Sequence, residues 1–380
     1  MCALLSIRDQ LAAAATSVEE KRYVPETTFD GFSGHIQTGT MKATDPVDYT
    51  DLLKQFGYDP DAVQIVGSVR TSRWQQREDG EWLVAYRFNI APRQTISTLD
   101  LELLVKKAKA RKPVGGQGHW LVFQASDLQL GKRSRNGSTE QIVENYLDTL
   151  QRSVEQYRHL KRLGVEGIQI CMPGDCIEGN VSQSGKNLWL TQETVTEQTR
   201  ILRRLMVAAV DAFRPLADQV HLDVVNGNHD EAQRQQNTYP GDGWATECAI
   251  AVHDALELNP AAYGHVSVRT PDKWSGSMTV PVGDTVVTIA HGHQWRNRTK
   301  GMQWWSGQTF TGQPAGAAHI LQHGHFHSFE VETDGGRTRI CSPALDCGSD
   351  WYRDRTGSES APGGLVYLLA AGKISHLSVV

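Results

Sequence analysis

The sequence predicts an α/β (α+β) protein in which two mixed sheets lie face to face with helices outside, behind a small N-terminal α+β accessory domain. Three observations carry that expectation. From His119 onward, short apolar runs alternate with long stretches of helical spacing, a β-α-β-α-β order. After Thr279 the chain turns into strand-like text with few helices. Residues 47–92 read as a separate small unit closed by Pro92. Strand–helix alternation followed by strands suits sheet layers covered by helices. A length of 380 residues is comfortable for two domains.

Residues 1–40 are polar, with an Ala-rich helix-like piece at 9–15, and at most partial order is expected there. Asp48 to Phe56 reads as a short helix stopped by Gly57. Ala62–Trp74 and Trp82–Ile90 are β-rich runs joined by Gln76-Arg77-Glu78-Asp79-Gly80, a hairpin loop with an Asp-Gly turn. A basic amphipathic stretch fills 100–112, and Pro113-Val114-Gly115-Gly116 then breaks the chain, which puts the domain boundary at 115/116. Trp120–Ala125 is an apolar strand. Ser138 opens a helix through Leu163, with Gln141 at the capping-box position and Gly164 past its end. Strands follow at 167–172 and 220–225, and helices at about 192–213 and 245–256.

Composition narrows the class. Apolar content of 39% and charged content of 21% are ordinary for a globular chain, and no run of 18 apolar residues announces a membrane span. The opening Met1-Cys2-Ala3-Leu4-Leu5-Ser6-Ile7-Arg8-Asp9 lacks a basic n-region and a long apolar h-region, so secretion is not expected. Six scattered cysteines with no Cys-x-x-Cys pair argue for reduced thiols in a cytoplasm. A net charge of −5 offers no global attraction to nucleic acid, so any such binding needs a local patch.

Five clusters concentrate the chemistry: Ser126-Asp127-Leu128-Gln129, Gly174-Asp175-Cys176-Ile177-Glu178, Gly227-Asn228-His229-Asp230, Ala290-His291-Gly292-His293 and Gly324-His325-Phe326-His327. Each follows a strand-like run, and each supplies carboxylate, carboxamide or imidazole groups that ligate hard or borderline metals. In order and in type they resemble the five-motif signature of the calcineurin-like metallophosphoesterases. The resemblance covers about residues 117–380 and implies a four-layer αββα sandwich. It also implies a dinuclear phosphoester hydrolase, in which paired ions lower the pKa of a bridging water for in-line attack. On this resemblance Asp175 bridges, Asp127 and His327 complete the first metal, and Asn228, His291 and His325 hold the second. Such mixed O/N ligation suits Mn²⁺, with Fe or Zn²⁺ as alternatives. The family's Asp-x-His is here Asp127-Leu128-Gln129, so Gln129 either ligates weakly or hydrogen-bonds a metal-held water. His229 is implied as the general acid at the leaving group. Asp230 either orients His229 or caps a turn, and Glu178 either caps a helix or orders the surroundings of the ligands.

Between His291 and His325, Trp295, Arg296, Arg298, Lys300, Trp304 and Trp305 interleave aromatic faces with cations. Two readings stand side by side: a loop that stacks bases and meets phosphates, or tryptophans in the core with solvated cations. Lys132, Arg133 and Arg135, just after the first cluster, are further candidates to meet phosphates. The second, fourth and fifth clusters, with Ser342-Pro343-Ala344, resemble the branch that includes DNA-repair exonucleases and phage-encoded metallophosphoesterases. The expected substrate is therefore DNA, as ends or single strands. The alternatives are a phosphomonoesterase or cyclic-nucleotide phosphodiesterase acting on a small nucleotide, and a non-catalytic scaffold subunit of a replication or repair complex.

Overall fold

The computed structural model describes residues 23–31, 33–43, 48–75, 81–93, 100–115, 118–180, 191–232, 239–350, 353–354, 357 and 361–380. The helix-like piece at 9–15, the hairpin loop 76–80 and Cys2 lie outside the described residues. The chain divides into two compact units, Met1–Arg93 and Gln94–Val380.

The first unit is one twisted sheet of β1 (Glu26–Phe29), β2 (Gly34–Gln37), β3 (Met41–Lys42), β4 (Val63–Gln75) and β5 (Trp82–Pro92). β5 is central: β4 pairs with it antiparallel, as do β2 and β3, and β1 pairs with β2. Residues 1–40, where partial order at most is expected, thus supply two short strands, β2 paired with β5 and β1 paired with β2. A helix at Tyr49–Gln55 is capped by Asp48, whose carboxylate accepts from the amides of Thr50 and Asp51. Its Leu52 and Leu53 join Ile36, Val84, Phe88 and Ile90 in a small core.

In the second unit, the basic stretch forms a helix at Leu101–Lys106 whose Val105 is buried in this unit's main core. Arg111 pairs with Asp218, which also accepts from the amides of Val114 and Gly115. These contacts explain why the division at 93/94 lies upstream of the expected boundary at 115/116.

Two sheets follow. One holds β6 (His119–Gln124), β7 (Val165–Met172), β8 (Gln219–Val224) and β9 (Val266–Arg269), all parallel. The other holds β10 (Ser277–Val282), β11 (Thr285–Ala290), β12 (Ile320–His323), β13 (Glu330–Asp334) and β14 (Arg337–Cys341), in the order β10-β11-β12-β14-β13. The last two strands, β15 (Leu365–Ala370) and β16 (Lys373–Val379), extend the first sheet beyond β6, giving β16-β15-β6-β7-β8-β9.

Alternation along each strand explains the layers. On β6, Leu121 and Phe123 face one core while Trp120 and Val122 face another. On β7, Ile168 and Ile170 join the first core and Cys171 the second. The first core lies under the long helices Thr139–Leu160, Val195–Phe213 and Trp244–Leu256, through residues such as Tyr146, Leu205 and Val252. The second core joins the sheets, with Val287, Ile289, Ile320 and Ile340 meeting Trp120, Val122 and Tyr367. A smaller cluster covers the far face of the second sheet, where Trp305 of the Gly301–Phe310 helix packs on Leu321. The result is the four-layer αββα sandwich. Among the described residues, no helix is long and apolar enough to cross a membrane.

Two helix starts contrast in their local chemistry. Thr194 and Glu197 form a full capping box at the head of Val195–Phe213. Ser138 makes no side-chain cap bond: its hydroxyl turns to Glu140, and Gln141 bonds Asn145 instead. The five described cysteines are buried, free thiols.

Candidate metal centre

All five chemical clusters sit just past the carboxyl ends of parallel strands. They follow β6, β7 and β8 in one sheet and β11 and β12 in the other. In open α/β sheets this edge is where ligand sites form, because the chain must turn there with its polar groups unpaired by the ladder. Here the turns are stitched to one another. The amides of Asp127, Gln129 and Leu130 donate to the carbonyls of Gly174, Asp175 and Cys176. The Asp230 carboxylate accepts from the amides of Cys176, Ile177 and Gly227, tying the loop after β7 to the loop after β8. The Asp127 carboxylate accepts from the amide of His325 at 2.9 Å, tying the two sheets together.

The backbone here is strained. Asp127, Gln129, Asp175, His325 and His327 all have φ between 47° and 71°, in the left-handed region. Each such residue costs roughly 1–2 kcal/mol in an L-amino acid. Strain held in place by surrounding structure gathers at functional sites. Two glycines permit the close approach of these loops. A Cβ on Gly227 would lie 2.1 Å from Asp175 Oδ1, and one on Gly324 would lie 2.3 Å from Asp127 Oδ2.

The side chains converge in a buried cluster. Asp175, His291 and His325 each offer a donor atom within 4.8 Å of the others, a group able to hold a metal ion. His291 Nε2 lies 3.0 Å from Asp175 Oδ2 and 3.2 Å from His325 Nδ1. The other nitrogen of His291 faces the carbonyl of Pro173 at 2.8 Å, which sets the ring's orientation. His327 Nε2 is 3.3 Å from Asp127 Oδ1. Ser126 donates to Asp127 at 2.5 Å and lies 2.7 Å from Ser342 Oγ. Two buried carboxylates and three imidazoles gathered in this way form a mixed O/N donor set of the kind that borderline divalent cations take.

Electrostatics agree with that donor set. Burial opposes charge on His291, but Asp175 and Asp127 outweigh it and lift the imidazole to about 9. Burial likewise opposes charge on His327, and Asp346 and Asp127 lift it to about 10. Burial and the neighbouring His291 push His325 down to about 4. Burial works against ionisation of Asp175, yet His291 and His229 hold it well below the usual carboxylate range.

The partner of His229 is Glu178, not Asp230. His229 Nδ1 lies 3.1 Å from Glu178 Oε2, while its amide donates to Asp175 at 2.7 Å and Nε2 stands 3.8 Å from Asp175 Oδ2. Asp230 has spent its oxygens on three backbone amides, so it clamps loops and does not orient the ring. Burial lowers the affinity of His229 for a proton, but Asp175 and Glu178 more than offset this and its pKa is raised.

Sequence reasoning missed Asp346. Its carboxylate receives an ion pair from Lys132 and stands 3.6 Å from His327 Nδ1. The available signal was positional: Asp346 follows the end of β14 as the other clusters follow their strands. Lys132 also donates to Gln129 Oε1 at 2.6 Å. Burial opposes its charge, and Asp346, Glu178 and Asp127 overcome that and raise its pKa.

The aromatic–cationic segment divides between core and surface. Trp295 and Trp305 are 4% and 1% exposed, so their rings are core and not open faces. Trp305 Nε1 donates to Ala315 O at 2.7 Å. Trp304 is half-buried against Trp295. Arg298 pairs with Glu330, and Arg296 and Lys300 are exposed. His323 is fully buried between the Gly324 carbonyl and the Arg339 guanidinium.

No family model and no curated protein matches the chain. Among solved structures it is similar to a novel archaeal phosphodiesterase, at 13% identity and a TM-score of 0.31 over 68% of this chain and 99% of that one. It is similar to wild-type Vps29 of Entamoeba histolytica complexed with Zn²⁺, at 15% identity and a TM-score of 0.29 over 68% and 98%. A predicted phosphoesterase of Streptococcus pneumoniae TIGR4 shares 10% identity at a TM-score of 0.26 over 66% and 83%. Likenesses this distant say nothing about activity.

Proposed function

We propose that this chain is a metal-dependent phosphoester hydrolase, most specifically a phosphodiesterase acting on DNA ends or single strands. The observation that carries the reading is the buried convergence of Asp175, His291 and His325, with His229 at its half-buried rim. A divalent cation bound there would supply Lewis acidity toward a water nucleophile and the phosphoryl oxygens. Asp175, His291 and His325 would hold it, with Asp127 Oδ1 4.0 Å from His291 Nε2, and Asn228 is the further ligand that the motif resemblance suggests.

The remaining steps belong to the chain's own residues. His229 keeps Nδ1 toward Glu178, and, against the opposing effect of burial, Asp175 and Glu178 raise its pKa above the ordinary histidine value. Nε2 can then deliver a proton to the leaving oxygen, which matters most for a poor leaving group such as a sugar hydroxyl. Arg296 and Lys300 are exposed cations of the loop after β11 that can meet a strand's phosphates, whereas the exposed Arg298 pairs with Glu330.

The test is a Mn²⁺-supplemented panel of labelled single- and double-stranded DNA, RNA, a diester dye, a monoester dye and cyclic nucleotides. Cleavage of the diester dye and of DNA is expected. Asp175→Asn should cost about a thousandfold or more in rate. Activity of that variant within tenfold of the wild type sinks the assignment, and cleavage of the monoester or cyclic nucleotide alone replaces DNA with a small substrate.

A further inference from the structure

The donor cluster has two unlike halves. In one, Asp175, His291 and His325 turn their donor atoms toward one another within 4.8 Å. In the other, the space around Asp127, Gln129 and His327 is organised by an ammonium group. Lys132 Nζ donates to Gln129 Oε1 at 2.6 Å and forms an ion pair with Asp346. Asp346 stands 3.6 Å from His327 Nδ1, and His327 Nε2 stands 3.3 Å from Asp127. The Lys132 side chain is only 16% exposed and that of Asp346 only 4%. This is a built arrangement and not a passing surface contact.

Resting on the metal-dependent reading above, we propose that the centre takes one divalent cation, at Asp175, His291 and His325, and that the Lys132 ammonium is the fixed positive charge in the other half. Three physical points support this. The amide oxygen of Gln129 is a neutral and weaker donor than an imidazole, and it already accepts a charged hydrogen bond. An ammonium within hydrogen-bond distance of a would-be ligand repels a dication there, and burial leaves that repulsion poorly screened. An ammonium has three N–H donors, and Gln129 and Asp346 take two. The third can serve a non-bridging phosphate oxygen, which makes Lys132 a substrate-binding cation.

The test is metal stoichiometry and electron paramagnetic resonance on the full chain, stripped of metal and titrated with Mn²⁺. The wild type should bind one ion per chain with the spectrum of an isolated Mn²⁺, and any second ion should bind at least about a hundredfold more weakly. Gln129→His combined with Lys132→Ala should admit a second ion and develop a spin-coupled spectrum. Two ions of similar affinity in the wild type overturn the proposal while leaving the hydrolase reading intact. A double variant that is folded by circular dichroism yet still binds one ion also overturns it, since Lys132 is then not what excludes the second. No binding at all by the wild type removes both this proposal and the metal-dependent reading. The wild-type measurement needs no variant to fold.

Discussion

His229 and Glu178 show how much a single contact decides. The imidazole is half-buried, and burial alone would make it a poor acid reservoir at neutral pH. Asp175 and Glu178 reverse that and raise its pKa. A general acid must be protonated, so turnover of poor leaving groups should hold below the raised pKa and fall as pH rises through it. Glu178→Gln removes one of the two negative neighbours, so this alkaline limb should move to lower pH. Profiles of rate against pH for wild type and variant check this, and an unmoved limb separates Glu178 from the acid. His229→Ala should retain metal and slow DNA cleavage more than hydrolysis of a nitrophenyl diester, whose leaving group needs no proton. His291, lifted to about 9, holds a proton that a cation at Asp175, His291 and His325 must displace. Metal affinity should therefore rise with pH from 6 toward 9, with proton release measurable by calorimetry in buffers of different ionisation enthalpy.

At the scale of elements, the strands do two jobs. Their carboxyl ends present the donors, and their inner faces carry a buried polar chain between the sheets. Gln169 donates to Asp223 at 2.6 Å, Gln322 donates to Gln169 at 2.8 Å and lies 2.7 Å from the Tyr367 hydroxyl, and Tyr367 donates to Gln124 at 2.9 Å. Arg269 closes the chain on Asp223 with two contacts of 2.6 Å. Gln322→Leu would strand Gln169 and Tyr367 without that partner, at a cost of about 1–3 kcal/mol. Urea unfolding should show a lowered midpoint with an unchanged slope. The loops after β7 and β8 are constrained more tightly still. Gly227→Ala forces a Cβ onto Asp175 and should abolish metal uptake while leaving the far-ultraviolet spectrum intact.

For the whole molecule, the four layers decide which residues of the segment from Trp295 to Trp305 can meet a substrate. Trp305 is a wedge under the Gly301–Phe310 helix, and Trp305→Ala should cost about 3–5 kcal/mol of stability, as large aromatic truncations do. Arg296→Ala with Lys300→Ala should leave stability within about 0.5 kcal/mol, as surface changes do. The same pair should weaken single-stranded DNA binding and flatten its salt dependence. Hydrolysis of a small diester dye should be unaffected by it. A melt and a salt series of binding separate the two outcomes, and wild-type protein with no salt-sensitive DNA affinity would redirect the proposal to small nucleotides.

The alternation on β6, β7 and β8, the helix after Asp48 and the donor clusters at the strand ends are readable from the chain because each depends on neighbours within a few residues. Pleat, cap and turn chemistry are local, and so is the presence of a carboxylate or imidazole where a strand stops. The capping box expected at Ser138 fails despite being local, because Glu140 competes for the hydroxyl. What the chain alone leaves open is settled by contacts between distant residues. Trp295 and Trp305 read equally as stacking faces or as core, and the fold buries both under the second sheet's helix. Asp230 was eligible to orient His229, but it is consumed by amides more than fifty residues away in sequence, and Glu178 meets the ring instead. Lys132 meets Asp346 across 214 residues, so no spacing rule could join them. Donor chemistry is written residue by residue, whereas pairing, burial and charge balance exist only once the two sheets bring their carboxyl ends together.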